Sequence, residues 1–424
     1  MKQNIKTWLF KLGQYTKIDI VYLTKNGFWS GLNQIISSLL VLFLSVIFGH
    51  FLPKEIYGNY KFILSVATVI GSFGLTGMGT SIVQAIAKGE KPDMNKAIKT
   101  SLKWGGITIG LSLIVSIYYY LNHNEIVAIS LIVAGLGNTI ISAYNLYMAI
   151  LNGHHDFKSL TKLSALSQLI TTFGIILVTL YKPSVTNLVI VNFLLMGIMS
   201  IINFYISRNK YPIIPDHSQE STLTLNHGKH LSFINAFNAA VNQIDKILIF
   251  HFLGAGGLAI YSFAIAIPEQ IRGAYKNLFS VALPKLSAKK TDLKQKLHEY
   301  NIKLTIITAL IIVIYVIVSP WLYRFLFPQY MDSVLYSQLY IVSLITIPGI
   351  FFFNTFFSIN RQFKVLYQIT FIVNICTIIL SFILIVRYGI IGAIIENTIT
   401  WLVNLLVSAI YFYLHKEVRN VNGN

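Results

Sequence analysis

The run FWSGLNQIISSLLVLFLSVIFGH, residues 28–50, has one ionisable side chain, His50, and that stands at its end. As a helix rising about 1.5 Å per residue it is long enough to cross a ~30 Å hydrocarbon layer. Lipid offers no partner to an open backbone, so such a run must be helical. Eleven more runs of this kind follow, at about 57–80, 101–121, 125–150, 163–181, 184–207, 231–253, 257–283, 303–323, 333–357, 366–386 and 389–413.

Composition agrees with this reading. The 424 residues are 55% hydrophobic and only 11% charged, where a soluble protein would carry about 25% charged residues. A soluble enzyme, a secreted module and a disordered chain are thereby excluded. The only cysteine, Cys376, lies in an apolar run, so neither an internal disulfide nor a cysteine-based metal site is available.

The net charge of +18 suggests nucleic acid until its placement is read. Of 33 lysines and arginines, 25 fall in the N-terminal stretch, the loops after even-numbered runs and the C-terminal tail. The opposite loops hold four: Lys54, Lys182, Arg324 and Arg387. By the positive-inside rule both termini are expected in the cytoplasm, and the charge sets topology. No nucleic-acid partner is expected. Residues 1–27, with Lys2, Lys6, Lys11, Lys17 and Lys25, read as a retained cytoplasmic leader and not a cleaved signal.

An internal repeat divides the chain. His50–Phe62 reads HFLPKEIYGNYKF and His251–Phe263 reads HFLGAGGLAIYSF, with five of thirteen positions identical at an offset of 201. The same offset pairs Ala87-Lys88 with Ala288-Lys289. Repeats of this length in a membrane protein point to two halves, and an even number of spans per half gives them the same orientation. The expected architecture is an all-α integral membrane protein. Its 12 transmembrane helices form two six-helix bundles, 28–207 and 231–413, related by a pseudo-two-fold along the membrane normal. A cytoplasmic linker, 208–230, joins them, and 414–424 is a cytoplasmic tail.

The halves differ in charge. At the repeat offset Leu44 and Ser45 become Asp245 and Lys246, while Thr68, Gly71 and Leu75 become Glu269, Arg272 and Lys276. With Lys61 and Glu396 these are the intramembrane Asp, Glu, Lys and Arg side chains. Each costs about 2.5–3.5 kcal/mol facing lipid at mid-membrane, so they are expected to face a cavity or one another. Asn235, Asn238, Asn242 and Asp245 fall on one face of the seventh helix. Glu269, Arg272, Lys276 and Ser280 fall on one face of the eighth, after Pro268, which is expected to kink it. Asn26, Ser30, Asn33 and Ser37 share a face of span one, and Lys61, Ser65, Thr68 (or Ser72) and Thr76 share a face of span two. Asn138, Ser142 and Asn145 do so on span four, and Asn354 and Ser358 on span ten. Opposed, these stripes describe a wet cleft between the halves.

Plainer readings stand beside this one. Asn and Ser in membrane helices are often interhelical glue, worth about 0.6 kcal/mol each. Lys61 is near the outer end of its span, where its stem reaches the headgroups. Asp245, Glu269 and Arg272 also suit a structural ion-pair cluster. Lys246 is about 100° round the helix from Asp245, so at most one points straight at the cleft. His154-His155-Asp156 reads as a solvated loop and not a metal site. GLTGMGT (74–80) and GAGG (254–257) match no nucleotide-binding spacing. No catalytic constellation is present in the sequence, so an enzyme is not expected.

Three stretches carry a resemblance: FWSGLNQIISSLLVLFLSVIFGHFLPKEIYGNYKF (28–62), NQIDKILIFHFLGAGGLAIYSFA (242–264) and LPKLSAKK (283–290). Together with twelve spans in two bundles, they resemble Wzx-type flippases, the polysaccharide transporters of the multidrug/oligosaccharidyl-lipid/polysaccharide (MOP) superfamily. Gly256-Gly257-Leu258-Ala259 departs from that pattern, in which a Gly usually precedes the Tyr, and 12 spans rather than 14 argue against the lipid II flippase branch. The resemblance implies transfer of undecaprenyl-diphosphate-linked oligosaccharide from the cytoplasmic to the outer leaflet of a bacterial inner membrane, by alternating access. The product serves a surface polysaccharide such as O-antigen or capsule, beside a polymerase and chain-length machinery. On that reading Arg272, Lys276 and Lys246 or Lys61 hold the diphosphate. Asn33, Asn145, Asn238 and Asn242 face sugar hydroxyls, and Asp245, Glu269 or Glu396 couples transport to H⁺ or Na⁺. No other cofactor is expected. The alternative is a cation-coupled drug or metabolite exporter of the same fold, which would want a more acidic cleft.

Overall fold

The structure is a computed structural model that describes residues 20–212, 232–287, 293–360 and 362–421, with side chains over 27–212, 232–275, 299, 301–360 and 362–414. Among them every regular element is a helix. In chain order these are α1 (Ile20–Phe51), α2 (Lys54–Ser72), α3 (Gly77–Ala87), α4 (Met94–Leu121), α5 (Glu125–Tyr144), α6 (Leu146–Gly153), α7 (Phe157–Tyr181) and α8 (Val185–Lys210). They are followed by α9 (232–241), α10 (Ile244–Ser287), α11 (Leu293–Leu326), α12 (Ser333–Val342), α13 (Ile347–Ile359) and α14 (Phe363–Val421).

Helix starts follow local chemistry. Asp93, Asn124, Asp156 and Ser184 each accept, through a side-chain oxygen, the N–H three residues on, at Lys96, Val127, Ser159 and Asn187. Each satisfies a donor the first helical turn leaves orphaned.

Among the described residues nine helical stretches are long and apolar enough to cross a membrane, or ten when the pair α2 and α3, bent by 52°, counts as one. Two of them, Ser232–Tyr275 and Phe363–Leu414, run to 44 and 52 residues. Straight, the second would reach roughly 78 Å, more than twice the hydrocarbon thickness. Each holds one glycine with left-handed backbone, Gly254 at φ 71° and Gly389 at φ 60°, a conformation glycine adopts without steric cost. At the second the chain doubles back. A Cβ on Gly392 would sit 1.9 Å from the carbonyl oxygen of Leu384, eight residues earlier, a separation of roughly 12 Å along a straight helix. Backbone dihedrals leave the helical region at Gly254, in the gap between the expected spans 231–253 and 257–283.

The chain divides into two compact units, one over Ile35–Ala259 and the other taking the remainder. Residues 232–259 thus pack with the first six spans. Phe250 stacks on Phe62 with ring centroids 3.8 Å apart, and a Cβ on Gly58 would sit 1.8 Å from the carbonyl oxygen of Ala255. Within this unit α4 and α5 approach closely through small residues. Ser112 Oγ donates to the Leu131 carbonyl at 2.5 Å and Ser116 Oγ to that of Ala128 at 2.8 Å. Association of membrane helices rests on such close packing and hydrogen bonds, because lipid is as apolar as leucine.

In the other unit Tyr275, Tyr315, Ile341 and Leu344 form one buried cluster, and Phe352, Phe357 and Phe412 another. Two of the buried aromatic hydroxyls are bonded across helices. Tyr315 pairs with Ser337 at 2.5 Å, and Tyr323 donates to the Phe263 carbonyl at 2.7 Å. Outward faces stay apolar in both units, as at Ile114, Ile117, Ile314 and Ile317, which suits a surface solvated by lipid.

Candidate functional site

The unit spanning Ile35–Ala259 holds an open cavity of about 540 Å³, within the ~300–1,000 Å³ usual for small-molecule sites. Three elements wall it. Span two supplies Thr68, Ser72 and Thr76, span four supplies Asn138 and Ser142, and the seventh supplies Asn235, Asn238 and Asn242. Every one of these eight side chains both donates and accepts hydrogen bonds, and none is ionisable.

The wall from span two is irregular. Helix α2 ends at Ser72, the chain bends, and α3 begins at Gly77. Between them Leu75 is in the left-handed region, φ 60°, with its side chain 2% exposed. Helix α9 holds this break. Ser232 Oγ accepts the Gly77 N–H at 2.9 Å, and Asn235 Nδ2 donates to Thr76 Oγ1 at 3.3 Å. Asn138 Nδ2 donates to the Ala67 carbonyl at 2.7 Å, fixing span four to span two.

Other residues expected at the site fall elsewhere. Asn145 marks the boundary between α5 and α6, where its Oδ1 accepts from Ser200 Oγ at 3.0 Å, and it does not line the cavity. It acts as interhelical glue. Asn33 is half-buried on α1 and falls in the second unit. Lys61 is half-buried with its Nζ 5.4 Å from the Tyr57 ring, and Lys246 Nζ donates to Gln243 Oε1 at 3.0 Å. Asp245 Oδ1 accepts the Lys246 backbone N–H at 2.8 Å.

The second unit holds the other charges. Glu269 and Arg272, one turn apart on α10, form an ion pair. Tyr340, buried on α12, donates its hydroxyl to Glu269 Oε1 at 2.5 Å, and the Arg272 guanidinium is 5.2 Å from the Trp401 ring centroid. Glu396 is 3% exposed and accepts from Thr400 Oγ1 at 2.9 Å. The side chain of Lys276 lies outside the described residues. Tyr340 and Trp401 carry no sequence signal as site residues, because a buried aromatic in an apolar helix looks like any other core position.

His154-His155-Asp156 has a structural task. His154 stacks on Tyr211 with centroids 4.2 Å apart. Asp156 Oδ2 takes Lys210 Nζ at 2.6 Å and the Tyr211 hydroxyl at 3.0 Å, so the loop is tied to the end of span six. Partial burial would raise the Asp156 carboxyl. Hydrogen bonds from Lys210, Ser159 and Tyr211 outweigh it and hold the group well below the usual carboxylate range. Among the described residues no three His, Cys, Asp or Glu side chains come together as a metal set.

These helices, several of them broken, make a multi-pass membrane protein, and solved membrane-protein structures share its fold. The chain is similar to lipid II flippase MurJ in its inward closed conformation, at TM-score 0.71 and 17% identity, covering 91% of this chain and 87% of that one. It is similar to an inward-facing multidrug resistance MATE family transporter of the MOP superfamily, at TM-score 0.63 and 16% identity over 90% and 96% of the two chains. A MOP superfamily transporter from Pyrococcus furiosus follows at TM-score 0.57 and 15% identity, over 93% and 96%. At such identities the likeness is one of fold. No curated protein matches the chain in sequence. A family profile described as polysaccharide biosynthesis protein matches residues 23–288, well over half the chain, and the protein belongs to that family.

Proposed function

We propose that the protein is a flippase for lipid-linked glycans, carrying undecaprenyl-diphosphate-linked oligosaccharide units from the cytoplasmic to the outer leaflet of a bacterial inner membrane. The observation that carries this reading is the uncharged, hydrogen-bonding lining of the cavity within Ile35–Ala259. Sugar hydroxyls need paired donors and acceptors, which Asn, Ser and Thr supply in a membrane interior that offers little water. A cationic drug would want a carboxylate, and none lines this cavity. That favours the glycan over the cation-coupled exporter. Membership of a polysaccharide biosynthesis family supports the same choice.

The two six-helix halves of the repeat would alternate access, with both termini in the cytoplasm as the distribution of lysine and arginine requires. Arg272 and Lys276, with Lys246 or Lys61, would bind the diphosphate. Arg272 engages Glu269 through Nη2 and carries further N–H donors for phosphate oxygens. Asp245, Glu269 and Glu396 are the groups through which H⁺ or Na⁺ would couple to the cycle. The product would feed a polymerase and chain-length machinery for a surface polymer such as O-antigen or capsule.

The test is a strain lacking the protein. Its lipids are extracted and polyprenyl-diphosphate oligosaccharides quantified. A complete repeat unit accumulating with its sugars on the cytoplasmic side, with surface polymer lost, is the expected result. Normal pools and normal polymer would reject the reading and bring forward the small-molecule exporter.

A further inference from the structure

Several polar groups of the cavity are already engaged between helices. Asn235 donates to Thr76, and Asn138 to the Ala67 carbonyl. Ser232, just below, caps Gly77. These side chains are spent on holding the broken second span against the fourth and seventh. Two others are not. Among the described residues neither the Ser142 hydroxyl nor the Asn242 carboxamide has a hydrogen-bond partner, and both line the cavity. Asn242 occupies the turn between α9 and α10 with its side chain exposed.

The space over the fourth span is made by glycine. A Cβ on Gly74 would approach Ser142 Oγ to 2.8 Å, and one on Gly71 would approach the Asn138 carboxamide to 2.9 Å. Any larger residue at Gly74 would press on the open hydroxyl. The second span is thus cut away where the fourth presents its polar atoms.

We infer that Ser142 and Asn242 read an uncharged sugar unit of the cargo, while Asn138, Asn235, Thr76 and Ser232 hold the walls of its subsite. This rests on the flippase reading and deepens it. A hydroxyl and a carboxamide together present donors and acceptors of both senses, which suits the adjacent hydroxyls of a hexose ring. No side chain in the lining would balance an anionic or cationic sugar, which favours an uncharged residue of the glycan at this place.

The experiment replaces the chromosomal gene with Ser142→Ala/Asn242→Ala, and separately with Asn235→Ala, beside a null strain. The polyprenyl-diphosphate-linked repeat unit is quantified in each, and the melting temperature of each purified protein is measured in detergent. The expected result is accumulation in the null and double-variant strains, with transport in the latter reduced roughly tenfold or more for two lost hydrogen bonds. The double variant should melt with the parent, and Asn235→Ala should melt lower. Accumulation in the null but not the double variant would overturn the inference and leave the flippase reading standing. Accumulation accompanied by a fallen melting temperature would also overturn it, placing these residues in the walls. No accumulation in the null would remove the reading on which the inference depends.

Discussion

The Tyr340 hydroxyl lies 2.5 Å from Glu269 Oε1, while the other carboxylate oxygen of Glu269 faces Arg272. A carboxylate inside a membrane protein is thereby held by a cation one turn along its own helix and by a phenol from another. Arg272 in turn rests near the Trp401 ring. The arrangement pairs the charge within the protein, and it makes the three residues energetically interdependent.

Removing one member should therefore cost more than removing two. Tyr340→Phe is expected to destabilise by about 1.5–3 kcal/mol, the range for a hydrogen bond to a charged group. Arg272→Ala should destabilise further, because it strands Glu269, and adding Glu269→Gln should recover part of the loss. Melting temperatures of the single and double variants measure the coupling. If Arg272 also holds the diphosphate, the double variant stays inactive although its stability returns.

Ser232→Ala should lower stability by about 0.5–2 kcal/mol, as loss of a helix N-cap does. It leaves the Gly77 N–H without its partner beside the break in span two. Thermal unfolding in detergent reads the change, and an unchanged curve would mean that the break is held by packing alone.

Gly58→Ala places a methyl group against a backbone carbonyl, at Ala255, which cannot rotate away. Overpacking typically costs about 1–3 kcal/mol, and a rigid neighbour puts this site at the upper end or beyond. Yield of folded protein should fall sharply, whereas Gly79→Ala, which meets no atom within 4 Å, should behave like the parent.

Acid should release the Asp156 clasp. Its carboxyl is held below the ordinary range in the folded protein, so its contribution is complete above the unfolded value near pH 4 and is lost as pH falls below that. The Lys210 side chain is 48% exposed, so solvent screens the pair and its worth is about 1 kcal/mol. Asp156→Asn should be less stable at neutral pH and show a weaker pH dependence below 4.

Orientation is open to a direct check. Cys376 is the sole cysteine, so a Cys376→Ser background accepts single reporter cysteines. Cysteines placed near Lys91 and Lys162 should be shielded from an impermeant thiol reagent in intact cells, and ones near Lys54 and Lys182 should react. The reverse pattern would overturn the cytoplasmic assignment of the termini.

Sequence alone determined the helical, membrane-spanning character of the chain, because hydropathy and the need to satisfy backbone groups in lipid are local properties. It also set out the polar stripes, since a 3.6-residue period places Asn235, Asn238 and Asn242 on one face whatever that face meets. What they meet was decided by tertiary packing. Asn138 and Asn145 look alike in sequence, two helical turns apart, yet one reaches span two at the edge of the cavity and the other is bonded to Ser200. Glu269 and Arg272 were legible as neighbours one turn apart, but Tyr340 and Trp401 join them from helices 71 and 132 residues downstream of Glu269. The breaks near Gly254 and Gly389 fall at the gaps between the runs 231–253 and 257–283 and between 366–386 and 389–413, but which residue takes the turn needed the structure, for a glycine is permitted a left-handed backbone everywhere and is driven to it only where the chain must turn back. Contacts between distant residues depend on how all the helices fit together, and no window of sequence contains that information.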